Sequence, residues 1–172
     1  MARTRSRSFI TAEKPASYDD FLDMSALPNF NSNWVYFKGA WFFHIIIIMS
    51  IKIIFSIIPG VSPEASWTLT NLSYDIASFV MFHWVKGVPF DFNSGAYDSL
   101  TLWEQIDHGV QFTPAKKYLT VVPIGLFLLS THYTHYDIFT FLINFMAASI
   151  ALIAKLPQLH KVRLFGINRL RT

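Results

Sequence analysis

Residues 39–58 read GAWFFHIIIIMSIKIIFSII, an apolar run of twenty residues that ends at Pro59-Gly60. Lys52 is the only charged residue in it. Twenty residues of α-helix extend about 30 Å, the thickness of the hydrocarbon core of a bilayer. The run therefore predicts a membrane-spanning helix, and the rest of the chain has to fit around it.

Three further apolar stretches follow the first one. They cover Trp67 to Val85, Tyr118 to Thr131 and Ile138 to Ala154, and only a short turn, 132–137, separates the last two. We predict an all-α membrane protein with four transmembrane helices in a small bundle. An alternative for the last two stretches is a re-entrant hairpin that enters the membrane and returns without crossing it.

The basic residues lie in three groups between these stretches. Of the 14 Lys and Arg residues, all but Lys52 fall in the N-terminal 38 residues, in the central segment 86–117 or after residue 154. Lys and Arg close to span ends are retained on the cytoplasmic side. The pattern predicts a cytoplasmic N-terminal tail (1–38), a four-span membrane domain (39–154) with one cytoplasmic loop (86–117), and a basic cytoplasmic C-terminal tail (155–172).

Composition and motifs argue against several classes of function. The chain has no cysteine, 52% hydrophobic residues and a formal charge of +3, so we expect contact with membrane lipids and no binding of nucleic acid. No nucleotide-binding or hydrolase fingerprint occurs. His132 and Asp137 have the H-x4-D spacing of some acyltransferases but lack an acceptor loop, and the other histidines are scattered. We predict no enzyme, no cofactor and no metal site.

Lys52 and Asp75 are charged residues within predicted spans. A charge at the bilayer centre costs at least about 2.5–3.5 kcal/mol on insertion scales. In an antiparallel hairpin of spans 39–58 and 67–85, the two side chains would lie at similar depths. The sequence predicts an intramembrane Lys52–Asp75 pair, with snorkelling of Lys52 to the interface as the alternative.

Five segments resemble the Orm/ORMDL family of endoplasmic reticulum proteins. They are LPNFNSNWVYFKGAW (27–41), WTLTNL (67–72), HWVKGVPFDFNSGAYDSLTLWEQID (83–107), GVQFTPAKKYLTVVPI (109–124) and KLPQLHKVRLFGIN (155–168). The resemblance implies a multi-pass protein of the endoplasmic reticulum membrane that inhibits serine palmitoyltransferase in response to ceramide. It also implies the partners, which are the large subunits of that synthase and its small activating subunit.

The resemblance also implies a ceramide site. Asn31 is similar in position to the asparagine that the family uses to contact the ceramide head group. His83 begins a matching segment, and Met81 falls at a place where family members can present an aromatic residue to the lipid, although the residue differs here. A carboxamide offers both donors and an acceptor to the amide and hydroxyl groups of ceramide. Asn29 and Asn33 lie close enough to leave the register open by two residues.

The N-terminal tail carries a possible switch. Arg3, Arg5 and Arg7 alternate with polar residues and produce an R-x-R-x-x-S pattern with Ser8 as acceptor and Ser6 as a second candidate. The longer tail resembles the fungal branch of the family, in which tail phosphorylation relieves inhibition. One phosphate adds about −1.5 to −2 charges and would offset two arginines.

Two other classes of function stay open from the residues alone. One is a membrane-shaping or calcium-handling binding protein of the endoplasmic reticulum without a dedicated enzyme partner. The other is a transporter, for which only Lys52, Asp75 and Asn144 would supply polar groups within the spans.

Overall fold

The computed structural model describes residues 10–12, 19, 22, 29–89 and 95–164. Four long helices dominate this part of the chain: α2 (Ala40–Ile57), α3 (Pro63–Phe79), α5 (Pro114–Tyr133) and α6 (Ile138–Ile153). Two short helices, α1 (Phe30–Asn33) and α4 (Leu102–Gln105), lie outside the bundle of long ones. The strands β1 (Ile10–Ala12) and β2 (Val162–Leu164) form an antiparallel ribbon in which Thr11 pairs with Arg163. Apart from this ribbon and an isolated bridge between Lys86 and Thr101, the regular structure of the described residues is helical, as predicted.

The long helices begin at residues suited to that position. Ser62 and Thr113 each accept a hydrogen bond from the backbone N–H three residues later, and a proline follows each of them at the first helical position. Asp137 caps α6 in the same way through the backbone N–H of Thr140. The helices α3 and α5 therefore each start four residues before the predicted spans, at Pro63 rather than Trp67 and at Pro114 rather than Tyr118.

The end of α3 departs from regular helix geometry. Residues Val80–Trp84 form a π-helical turn in which the N–H of Val85 donates to the carbonyl of Val80 at 3.0 Å. Such turns are rare and often occur at functional sites. This turn carries both Met81 and His83, two of the residues implicated by the family resemblance.

The long helices alternate in direction, and α3 is the central one. It packs against α2, α5 and α6, and α5 also packs against α6. The bundle therefore has a turn end, formed by residues 58–62 and 134–137, and a loop end, formed by the two short helices and residues 85–89 and 95–113. The loop end contains a buried apolar cluster of Phe82, Leu102, Trp103, Ile106 and Leu119.

Polarity in the bundle is reversed with respect to a water-soluble protein. The residues of α3 that are buried are almost all polar, and Asn71 donates a hydrogen bond to the side chain of Asn144 on α6 at 3.0 Å. The outer faces of α2 and α6 expose large apolar side chains; Phe139, for example, is 75% exposed. Small and polar residues between helices and apolar residues outside are typical of proteins whose solvent is lipid.

In the part of the chain that the structure describes, one helix, Ala40–Ile57, is long and apolar enough by itself to cross a membrane. It corresponds to the first predicted span within one residue at each end. Ile138–Ile153 is apolar but shorter, with 16 residues. The structure thus supports a membrane helix at the stretch that opened the sequence analysis, while four crossings stay a prediction.

Candidate functional site

Three amide side chains meet at the loop end, and we call them the amide cluster: Asn29, Asn31 and Gln105. The Gln105 oxygen accepts hydrogen bonds from Asn29 Nδ2 at 2.9 Å and from Asn31 Nδ2 at 3.0 Å. Its nitrogen donates to the backbone carbonyls of Gly87 at 2.8 Å and Leu100 at 3.1 Å. The cluster thus joins the segment before α2, the segment after the π-helical turn and α4.

Local structure holds Asn29 and Asn31 in place. Asn29 is buried and caps α1, since its side-chain oxygen accepts from the backbone N–H of Asn31 at 3.0 Å. Asn31 is only half-buried, and both of its side-chain hydrogen bonds are donated by its nitrogen, to Gln105 and more weakly to the Gly87 carbonyl at 3.5 Å. Within the described residues, no donor reaches the Asn31 oxygen. Asn31 therefore presents an acceptor at the edge of the cluster.

A buried ion pair fixes α4 beside the amide cluster. Arg163 donates to both carboxylate oxygens of Glu104, at 2.7 and 2.8 Å, and the backbone N–H groups of Thr101 and Lys161 donate to the same carboxylate at 2.8 and 3.0 Å. Both side chains are about 95% buried, with 7% and 5% exposed. Burial alone would raise the pKa of Glu104, but these hydrogen bonds and the charge of Arg163 lower it below its ordinary value.

Trp103 lies between two buried lysines. The ammonium groups of Lys116 and Lys155 are each 5.5 Å from its ring centroid, and Lys155 also lies 5.6 Å from the ring of Phe82. Cation–π contacts of desolvated groups contribute about 2 kcal/mol. The lysines thus connect α5 and the end of α6 to the helix that carries Gln105.

In the structure, the His83 side chain lies near this site, whereas Met81 makes no hydrogen bond or ring contact with it among the described residues. The His83 ring is half-buried, 5.4 Å from the Trp103 ring. Met81 lies on the same π-helical turn and is 41% exposed. Among the described residues, no hydrogen bond or ring contact joins Met81 to the amide cluster.

The predicted Lys52–Asp75 pair is wrong. Lys52 Nζ donates to Ser56 at 2.8 Å and to Ser66 at 2.9 Å, and lies 5.0 Å from the Trp67 ring. The reason is the position of the helix ends. Lys52 lies five residues before the end of α2, whereas Asp75 lies twelve residues after the start of α3, a mismatch of seven residues or about 10 Å. The predicted second span starts at Trp67, four residues after the true start of α3, and this difference hides four of the seven residues of mismatch.

The remaining candidates from the sequence fall outside the site. Ser6 and Ser8 lie outside the described residues. Asp137 uses its carboxylate to cap α6 and has no hydrogen bond to His132. No group of three potential metal ligands occurs within 29–89 and 95–164.

The sequence alone does not single out Gln105 or the ion pair Glu104–Arg163. A local signal exists only for Glu104, because it follows Thr101 by three residues in a capping-box spacing. Gln105 and Asn31 are 74 positions apart, so no local pattern could have predicted their contact.

Comparison with known proteins gives the site a family context. The family model described as "ORMDL family" matches residues 29–163, a range that includes the amide cluster and Arg163 and leaves out residues 1–28.

Three relatives show how far the similarity extends. An uncharacterized protein of Schizosaccharomyces pombe is 56% identical over 169 residues, 98% of this chain and 91% of that protein. Protein ORM1 of Saccharomyces cerevisiae is 50% identical over 163 residues, 94% of this chain and 73% of that protein. ORM1-like protein 3 of Homo sapiens is 44% identical over 133 residues, 77% of this chain and 87% of that protein.

Proposed function

Because the chain belongs to the ORMDL family, we propose that it is a non-catalytic regulatory subunit that inhibits serine palmitoyltransferase in response to ceramide. Its partners are the large subunits of the synthase and the small activating subunit, and its location is the endoplasmic reticulum membrane. Phosphorylation of the N-terminal tail at Ser8 or Ser6 relieves the inhibition. The regulatory role is proposed from family membership. The observations below support the ceramide site, its position at the membrane interface and the four crossings.

The half-buried carboxamide of Asn31 is the observation that favours a ceramide site. Its oxygen is available to accept from the amide or hydroxyl of a ceramide head group, while Gln105 holds its nitrogen. Site groups that are held before the ligand arrives lose less entropy on binding. His83, beside Trp103, is a second candidate contact, and exposed Met81 is a candidate for the apolar part of the lipid.

The position of the cluster favours a site at the membrane interface. It lies at the loop end of the bundle, where Lys86 and Lys116 also lie. The exposed rings of Trp41 and Trp84 lie beside the same end. Basic residues near span ends and Trp at the interface are both typical of the cytoplasmic boundary. A lipid with a hydroxylated head and apolar chains would reach the cluster from the membrane.

Four membrane crossings with both termini in the cytoplasm complete the proposal. The helices α2, α3 with its π-helical turn, and α5 contain 18, 22 (17 + 5) and 20 residues, each close to the length that a bilayer requires. The α6 helix has 16 residues and spans about 24 Å, which local thinning of the bilayer or the flanking side chains can accommodate.

The test is a ceramide titration of the synthase co-purified with this chain in mild detergent. We expect Asn31→Ala to co-purify normally and to lose inhibition by ceramide, because the head group loses an acceptor held in place by Gln105. Asn33→Ala is the matched control, since the Asn33 side chain forms no hydrogen bond among the described residues. Inhibition that persists in Asn31→Ala would remove the site assignment, and a wild-type chain that fails to co-purify the synthase would remove the function.

A further inference from the structure

A groove of about 410 Å³ runs along the outside of the bundle between α3 and α6. Leu72, Ile76 and Phe79 form one wall, and Met146, Ala147 and Ile150 belong to the other. Small ligands bind in concave, mostly apolar sites of about 300–1,000 Å³ that contain a few placed polar groups. The groove has this size and character, and it is separate from the amide cluster.

Asp75 is the single polar residue that lines the groove. Its side chain is 2% exposed, and neither carboxylate oxygen has a hydrogen-bond partner within the described part of the chain. Lys155 acts on Asp75 electrostatically, but the Lys155 ammonium lies over the rings of Phe82 and Trp103, and no ion pair joins it to Asp75 within the described residues. A buried carboxylate without a donor is costly, and such groups are normally paired.

We propose that this groove binds a long-chain amine, with its ammonium group on Asp75 and its hydrocarbon chain along the apolar walls. An ammonium supplies three donors and the opposite charge, which are what the carboxylate lacks. The small side chains of Ala147 and Ala151 leave room beside Asp75 on the facing helix. The volume of about 410 Å³ is that of a small-ligand site, whereas a helix is about 10 Å across with its side chains, so the groove suits a single hydrocarbon chain.

The natural source of such a ligand rests on the proposed function. A synthase that joins serine to a fatty acyl chain makes a product that keeps the amino group of serine on a long chain. The groove would then bind a long-chain base derived from the product of the synthase, whereas the amide cluster binds ceramide. The two sites use different side chains and can be tested separately.

The test uses the isolated full chain in phosphatidylcholine nanodiscs, with octadecylamine as the probe and octadecanol as the neutral analogue of equal chain length. We expect octadecylamine at saturation to raise the melting temperature, followed by tryptophan fluorescence, by about 5 °C. Octadecanol should leave it unchanged. Asp75→Asn should abolish the shift, and Glu64→Gln, which removes a carboxylate of the same helix outside the groove, should retain it.

A second variant covers the case in which Asp75→Asn does not fold. Ala147→Leu keeps the carboxylate and fills the groove, so it should also lose the shift. An equal shift in Asp75→Asn or Ala147→Leu would overturn the proposal, and so would an equal shift with octadecanol. If the amine has no effect and Ala147→Leu instead prevents co-purification of the synthase, the groove holds a partner helix and the proposal is wrong. Because the binding assay contains no synthase, its failure is independent of a failure of the proposed function.

Discussion

At the scale of single residues, Gln105 organises the candidate site. Both ends of its carboxamide are hydrogen-bonded, to Asn29 and Asn31 through the oxygen and to Gly87 and Leu100 through the nitrogen. It is 3% exposed, so loss of these bonds would leave buried polar groups unpaired. Gln105 thus orients the half-buried Asn31 side chain without itself having to contact a ligand.

The Glu104–Arg163 pair leads to a prediction about stability. Glu104→Gln removes one partner of a buried pair and leaves Arg163 with an uncompensated charge, which costs about 3–5 kcal/mol. We expect the melting temperature in mild detergent at pH 7 to fall clearly below that of the wild type. Glu64→Gln, whose side chain is 42% exposed, is the control and should melt like the wild type. Equal melting of Glu104→Gln and the wild type would contradict the role assigned to the pair.

The same pair predicts the direction of a pH dependence. The pKa of Glu104 is lower in the folded protein than in the unfolded chain, where it is about 4.3, so ionised Glu104 stabilises the fold at every pH above that value. The stability advantage of the wild type over Glu104→Gln should stay constant from pH 7 to 5. It should shrink below about pH 4.3 and vanish as the pH falls through the folded pKa. Melting curves of both proteins across this range measure it, and an advantage that persists unchanged at the lowest pH would exclude the mechanism.

At the scale of secondary-structure elements, the ribbon of β1 and β2 connects the two ends of the chain. Its strand Val162–Leu164 contains Arg163, which binds Glu104 next to Gln105. The candidate phosphorylation sites, Ser6 and Ser8, precede β1 by four and two residues. Under the proposed function, a charge change in the tail therefore acts close to a strand that is anchored to the candidate site.

Tail phosphorylation gives the prediction at this scale. Replacing both Ser6 and Ser8 by alanine should leave the synthase inhibited under conditions in which the wild-type chain releases it, because no phosphate offsets Arg3, Arg5 and Arg7. Synthase activity after kinase treatment of the co-purified complex is the measurement. A Ser32→Ala variant, changed at a serine that is buried in α1, serves as the control for loss of a hydroxyl. Normal release by the double variant would eliminate these two serines as the switch.

At the scale of the whole molecule, polar residues face inward and apolar residues face outward. Thr70, Asn71 and Asn144 are fully buried between helices, while isoleucine and phenylalanine side chains cover the outer faces of α2 and α6. Water would have to solvate that apolar exterior, whereas lipid does so without penalty. The outer faces of α2 and α6 are thus suited to a lipid environment.

The proposed topology predicts which segments glycosylation can reach. Acceptor sites introduced into the turns 58–62 and 134–137 should be modified in the endoplasmic reticulum, and one at 110–112 should not. The natural sequon at Asn71 is the internal control, because a fully buried helical asparagine cannot act as an acceptor. Modification at 110–112 would show that this loop faces the lumen, the opposite of the proposed orientation. Modification at 58–62 without modification at 134–137 would favour the re-entrant hairpin over the last two crossings.

The amino-acid sequence by itself determined the long apolar helices, the distribution of basic residues along the chain and the family, because apolar length, charge position and long matching segments are all properties of the linear chain. The first helix agrees with its prediction within one residue at each end. Only the tertiary structure decided which polar groups meet. Lys52 and Asp75 have compatible charges, but the true start of α3 separates them in depth, and Asn31 and Gln105 become neighbours only when α1 and α4 meet. Contacts of this kind depend on helix ends and rotations in several elements at once, which no local pattern records.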